Sequence, residues 1–86
     1  MTVLFHGSVK EKASGCGSLE IKDAGTVREL IGVLGERFGE AFRDFLLGDD
    51  TCFFLVNGSG IMTTGGLNMP LSDSDTFEVL PYVGGG

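Results

Sequence analysis

The sequence predicts an α+β domain: a four- to five-stranded sheet with one main helix packed on one face. Three observations predict it. Apolar residues at helical spacing run from Val27 to Phe38. β-prone segments stand on both sides of that stretch, two before it and two or three after it, and a single helix can cover one face of a sheet. The 86 residues suffice for one modest core, hence one domain.

The elements follow in order. Thr2 to His6 is short and β-prone, and Leu19 to Lys22 alternates apolar with polar. A polar, glycine-containing connection joins them, so the pair reads as a hairpin with Val3, Phe5, Leu19 and Ile21 on one side. Thr26 with Glu29 three residues later forms a capping-box pattern at a helix start. Val27, Leu30, Ile31, Leu34 and Phe38 make the helix's apolar face, and Gly39 suits its end. Gly32 and Gly35 lie off that face, where each costs about 1 kcal/mol relative to alanine; their positions suit close approach by a neighbour. Glu40 to Leu47 reads as a short helical turn with Phe42, Phe45 and Leu46 inward, ended by Gly48, Asp49 and Asp50.

Cys52 to Val56 is a continuous apolar run closed by Asn57-Gly58, which reads as a central strand. Ser59 to Pro70 reads as a loop with a short strand near Ile61 and Met62. Leu71 to Asp75 is a turn, and Asp73 and Asp75 within it are structural carboxylates. Phe77 to Val83 is the last strand, weakened at Pro81, which has no ladder donor. The domain spans residues 1–83, and residues 84–86 form a flexible glycine tail.

Composition excludes several classes. Hydrophobic residues make up 42%, a folding rather than a disordered composition. No apolar run approaches the roughly 20 residues of a membrane span, and no basic-then-apolar leader is visible, so the expected location is cytoplasmic. The net charge of −6 argues against nucleic acid and against anionic membrane surfaces, and favours a partner with a basic surface. Cys16 in a loop and Cys52 at a strand start lack zinc-ligand spacing, and both are expected reduced. No metal site is expected.

Two strands carry apolar residues at both parities. Phe77 and Val79 point one way, Leu80 and Tyr82 the other. Phe53 and Leu55 oppose Phe54 and Val56 in the same manner. Only one set fits under the helix. We assign Phe54, Val56, Phe77 and Val79 inward, and Phe53, Leu55, Leu80 and Tyr82 to an exposed partner-docking patch. The competing assignment covers that face with Phe42 to Leu47 or with a second copy.

An independent active site is not legible. There is no phosphate-binding loop and no metalloprotease motif. His6 is the lone histidine and reads as a surface or hydrogen-bonded residue rather than a base. The terminal Gly84-Gly85-Gly86 is what remains. Even in a chain with 15 glycines, three in a row at the end arise by chance in roughly half a percent of cases, against an average usage of about 7%. Glycines thread a narrow channel and put no Cβ near a reacting carbonyl. A carboxylate is a poor electrophile until coupled to a nucleotide, and this chain has no nucleotide site, so activation requires a second protein.

Thr26-Val27-Arg28-Glu29-Leu30, Val56-Asn57-Gly58, Leu71-Ser72-Asp73-Ser74-Asp75 and Leu80-Pro81-Tyr82-Val83-Gly84-Gly85-Gly86, in that order, resemble the MoaD/ThiS sulfur carriers. That resemblance implies a ubiquitin-like β-grasp fold with a mixed sheet. It implies a protein that is no enzyme and binds no cofactor, and whose Gly86 is adenylated by an ATP-using enzyme resembling the ubiquitin activators. A persulfide donor then makes a thiocarboxylate. Gly84 and Gly85 would thread the partner's active site, and Phe53, Leu55, Leu80 and Tyr82 would dock on it. The ending is similar to that of the molybdopterin-synthase small subunit, which implies that synthase's large subunit as sulfur acceptor. The alternatives are a modifier joined to lysines through Gly86, a thiamine-type carrier, and a non-covalent interaction domain.

Overall fold

A computed structural model describes residues 1–48, 52–61 and 66–81. β1 is Thr2–Phe5 and β2 is Ser18–Glu20, paired antiparallel with Val3 opposite Leu19. The connection between them holds a short helix, α1, Ser8–Lys12. The sequence reading took this stretch for a polar turn. Five residues are too few to show a helical period, and α1 is held by burial of Val9 and, just beyond it, Ala13.

α2 is Val27–Phe38. Its start follows the predicted box: the Glu29 amide donates to Thr26 Oγ1 at 3.2 Å. Glu29 Oε1 in return accepts from the Gly25 amide at 2.7 Å, one residue earlier than the usual partner. Val27, Leu30, Ile31 and Leu34 are buried, as their spacing requires. The Gly39 amide closes α2 on the Gly35 carbonyl at 2.8 Å. α3, Glu40–Leu47, then turns back across it. A Cβ on Gly35 would stand 2.8 Å from Arg43 Cβ, so α3 packs onto α2 only because position 35 has no side chain. Gly32 meets no such neighbour. Phe42 stacks edge-on against Phe5 of β1, with ring centres 5.5 Å apart, and Phe38 does likewise at 5.8 Å. Both helices therefore lie on the same face of the sheet.

β3 is Cys52–Val56, β4 is Ser59–Gly60 and β5 is Thr76–Pro81. The five-stranded sheet runs β2-β1-β5-β3-β4. β1 and β5 are parallel and the other neighbours antiparallel, so the sheet is mixed. β5, not β3, is its middle strand. Apolar content alone could not rank the two, because both are flanked by neighbours. The short strand after the Asn57-Gly58 turn is Ser59–Gly60 rather than Ile61-Met62. Asn57 and Gly58 both have positive φ, 51° and 86°, the tight two-residue reversal that keeps β4 in register. Met62 lies outside the described residues, as do Tyr82 and Val83 at the predicted end of the last strand.

The core joins the inner sheet face to α2. Val3, Phe77 and Val79 are fully buried under Leu30, Ile31 and Leu34. Phe54 stacks on Phe77 at 5.2 Å between ring centres. No helix among the described residues is long and apolar enough to cross a membrane.

The loop before β5 is tied down at two points. The Leu71 amide donates to Gly25 O at 2.9 Å and the Val27 amide to Met69 O at 3.1 Å, which fastens it to the α2 N-terminus. Asp75 joins the two turns: it accepts from Asn57 Nδ2 at 3.0 Å and from the Ser72 amide at 2.9 Å. Asn57 Oδ1 in turn accepts from the Thr76 amide at 2.9 Å. The Asn57 side chain, then the Ser72 amide, hold the Asp75 carboxyl below its usual range.

Two predictions follow from this packing. Phe77→Ala removes a fully buried ring from the middle strand, and urea unfolding should show a loss of about 3–5 kcal/mol. Asp75 is more acidic folded than unfolded. Its contribution is therefore present above the unfolded value and lost as pH falls through the folded one. Asp75→Asn should lower stability at neutral pH and flatten the stability profile below about pH 4, measured by thermal melts across pH.

Candidate functional site

The register of the sheet decides what faces outward. Phe53 lies opposite Leu80, and Leu55 opposite Glu78. Leu4 lies beside Glu78 across the parallel pairing. Phe54 and Val56 take the other parity, opposite Val79 and Phe77. Phe54, Val56, Phe77 and Val79 thus face inward and Phe53, Leu55 and Leu80 outward, as read from the sequence. Phe53 is exposed, at 41%, while Leu4, Leu55 and Leu80 are half-buried by one another and by the strand backbones. α3 packs through Phe42 on Phe5, so it covers the inner face and leaves this one open.

One polar contact stands among these residues. His6 follows β1 with the outward parity, and its Nε2 is 2.9 Å from Glu78 Oε2. The sequence reading of His6 as a hydrogen-bonded surface residue matches this contact; its partner could not be read, because the two lie 72 positions apart. Leu4 was also missed as part of the patch. Its signal was present in the period-2 alternation of Thr2 to His6, with Val3 and Phe5 inward.

The described part of β5 ends beside this face. Pro81 pairs with Cys52 and is the last described residue. Pro81 leaves no N–H to be satisfied where the ladder ends. Gly7 lies against it: a Cβ at position 7 would be 3.0 Å from Pro81 Cγ, and Gly7 has a φ of 56°. The β1–α1 corner thus packs against the last described residue of β5. Tyr82, Gly84, Gly85 and Gly86, the remaining residues singled out from the sequence, lie outside the described residues.

Other chemistry is sparse. Cys16 Sγ donates to Ser18 O at 3.4 Å, and Cys52 Sγ lies 4.0 Å from the Phe45 and Leu46 carbonyls. Both are half-buried. Among the described residues, no three His, Cys, Asp or Glu side chains come together as a metal site. An open groove of about 470 Å³ lies along α2 and α3, with Glu29, Glu36, Glu40 and Arg43 at its walls and no nucleophile. Among the described residues, the arrangement is an apolar face with one imidazole–carboxylate contact in it.

The ThiS family profile matches residues 3–86, the glycine run included. The chain belongs to the ThiS family. This is a family of ubiquitin-like sulfur carriers, small proteins that are generally not catalysts. The fold is similar to a chain of the Helicobacter pylori complex between subunits 1 and 2 of molybdopterin-converting factor. Identity there is 30% and the TM-score 0.67, over 99% of this chain and 96% of that one. It is similar to a chain of the Amycolatopsis orientalis BexX/CysO complex at 28% identity and a TM-score of 0.77, over 99% and 98% of the two chains. It is also similar to small archaeal modifier protein 1 from Methanosarcina acetivorans, at 26% identity and a TM-score of 0.78, over 99% and 94%. Among curated proteins none matches the chain.

The outward position of Phe53 generates a prediction. Phe53→Ser should leave stability within about 0.5 kcal/mol, the range of exposed substitutions, because the ring is not part of the core. It should nonetheless weaken binding to any protein that seats on this face, measured by titration calorimetry alongside a thermal melt.

Proposed function

We propose that this chain is a sulfur carrier whose Gly86 carboxylate is activated by a partner enzyme and converted to a thiocarboxylate. The observation that carries this reading is the family match through the glycine run. The carboxylate attacks the α-phosphate of ATP, giving an acyl-adenylate and pyrophosphate. A persulfide sulfur displaces AMP at the carbonyl, and a thiol cleaves the resulting S–S bond to leave the thiocarboxylate. The partner binds the ATP. This chain contributes the substrate carboxylate, a tail of Gly84 and Gly85 slim enough for a closed active site, and a docking patch of Phe53, Leu55, Leu80 and Tyr82. Use of ATP places the step in the cytoplasm.

We assign the sulfur to molybdopterin biosynthesis, with the synthase large subunit as acceptor. The support is the 30% identity to a chain of a molybdopterin-converting-factor complex and the Leu80-Pro81-Tyr82-Val83 approach to the glycines. A second reading, a modifier joined to lysines through Gly86, draws on the similarity to a small archaeal modifier protein.

Intact mass of the chain, co-expressed with its adenylating enzyme and a sulfur source, separates these. The expected result is a gain equal to exchanging one oxygen for sulfur, abolished by deleting Gly86 while the melting curve is unchanged. Tail-dependent adducts on other proteins, without the sulfur form, would favour the modifier. An unmodified mass and no adducts would overturn both.

A further inference from the structure

On the outer face of the sheet, Leu4, Phe53, Leu55 and Leu80 form an apolar patch, bordered at one end by Thr2, Ser18, Glu20 and Thr76, with one carboxylate in its middle. Glu78 stands there with Leu4 beside it on β1 and Leu55 on β3. A plain hydrophobic seat would carry a third aliphatic side chain at this place. The Glu78 side chain is only 24% exposed, so it is already half desolvated by those neighbours. An ionised carboxylate can only accept, so His6 Nε2 is the donor across the 2.9 Å contact to Oε2. Among the described residues, no hydrogen bond reaches the other oxygen, Oε1, which depends on solvent.

A protein seating on this face would exclude that solvent. A carboxylate oxygen buried without a donor is strongly unfavourable, and a buried charge is tolerated when paired and hydrogen-bonded. The surface that covers Glu78 must therefore bring a donor. We infer that the partner's docking surface carries a cationic side chain, an arginine by its planar fork of donors, which pairs with Glu78 Oε1 while His6 holds Oε2. This rests on the reading of the face as the docking site of the tail's adenylating enzyme. The net charge of −6 draws such a basic surface in from a distance. Glu78 adds a fixed point: it is three residues before Pro81 on the strand that carries the tail, so pairing there sets how far the tail reaches into the partner. His6 is a positioning residue in this scheme and Glu78 the determinant of specificity.

The rival account is that Glu78 only keeps the apolar face from pairing with other molecules, the usual work of a charge in an exposed sheet. Binding of the purified adenylating enzyme from the same host decides between them, measured by calorimetry at two salt concentrations. The variants are Glu78→Gln, Glu78→Leu and Glu36→Gln, the last an exposed carboxylate on α2, on the opposite side of the sheet. Melting curves and sedimentation accompany each variant. The inference expects Glu78→Gln to weaken binding about tenfold or more with a shallower salt dependence. Glu78→Leu should weaken it further, Glu36→Gln should bind like the wild type, and melting should be unchanged at Glu78→Gln. Binding by Glu78→Gln within about twofold of wild type, or tighter binding by Glu78→Leu, would overturn it in favour of the rival account. A Glu78→Leu chain that self-associates leaves the decision to Glu78→Gln, which keeps shape and hydrogen-bonding capacity. A wild-type chain that does not bind the enzyme at all removes the docking reading with it. Wild-type binding with an unaffected Glu78→Gln removes this inference alone, and the mass gain at Gly86 remains its own test of the carrier chemistry.

Discussion

The parallel pairing of β1 with β5 is the contact on which the rest depends. It joins residues 2–5 to residues 76–79, with every other element lying between them in sequence. A parallel pair needs a long crossover, and here that crossover includes α2, α3 and β3. Once β5 sits between β1 and β3, its alternation has two consequences. Phe77 and Val79 go under α2 and complete the core. Glu78 and Leu80 go to the open face, beside Leu4, Phe53 and Leu55. A shift of one residue would exchange the two sets and put a carboxylate beneath the helix. The core and the composition of the open face thus rest on the same register.

That register is secured at both ends of the strand. At its start, the Asn57 and Asp75 side chains hold the β3–β4 turn and the pre-β5 turn together, and Asn57 also caps the Thr76 amide. At its end, Pro81 offers no further donor and rests against Gly7, whose backbone leaves just enough room. The first device sets where β5 begins, and the second holds its last described residue against the β1–α1 corner, so the register is fixed at both ends of the described strand.

The two faces divide the work. The inner face is closed by α2 and α3, with the Phe5, Phe38 and Phe42 rings locking the helices to the sheet edge-on. Gly35 permits the helices to approach, and its cost to helix propensity is repaid in that contact. Because both helices lie on one side, the outer face keeps its leucines and Phe53 uncovered. A sheet face left uncovered by the helices is in keeping with membership of a family of ubiquitin-like sulfur carriers.

Much of this was legible in the residues. The capping box, the apolar stripe of α2, the Asn57-Gly58 reversal and the two parities of the apolar strands are local patterns, fixed by backbone geometry within a few positions. They determined the element order, the one-sided helix packing and the choice of Phe53, Leu55 and Leu80 as the outward set. The contacts that had to wait for the tertiary structure are long-range. α1 is too short to show a period and exists because Val9 and Ala13 are buried. The middle place of β5 follows from a parallel pairing that no local signal announces. His6 with Glu78, Gly7 with Pro81 and Asn57 with Asp75 each join residues far apart in the chain. By itself the sequence determined the longer elements and which side of each is apolar, because those depend on neighbours one to four positions away. Only the folded chain decided which polar groups meet across the sheet, because such meetings depend on the register that all the elements set together.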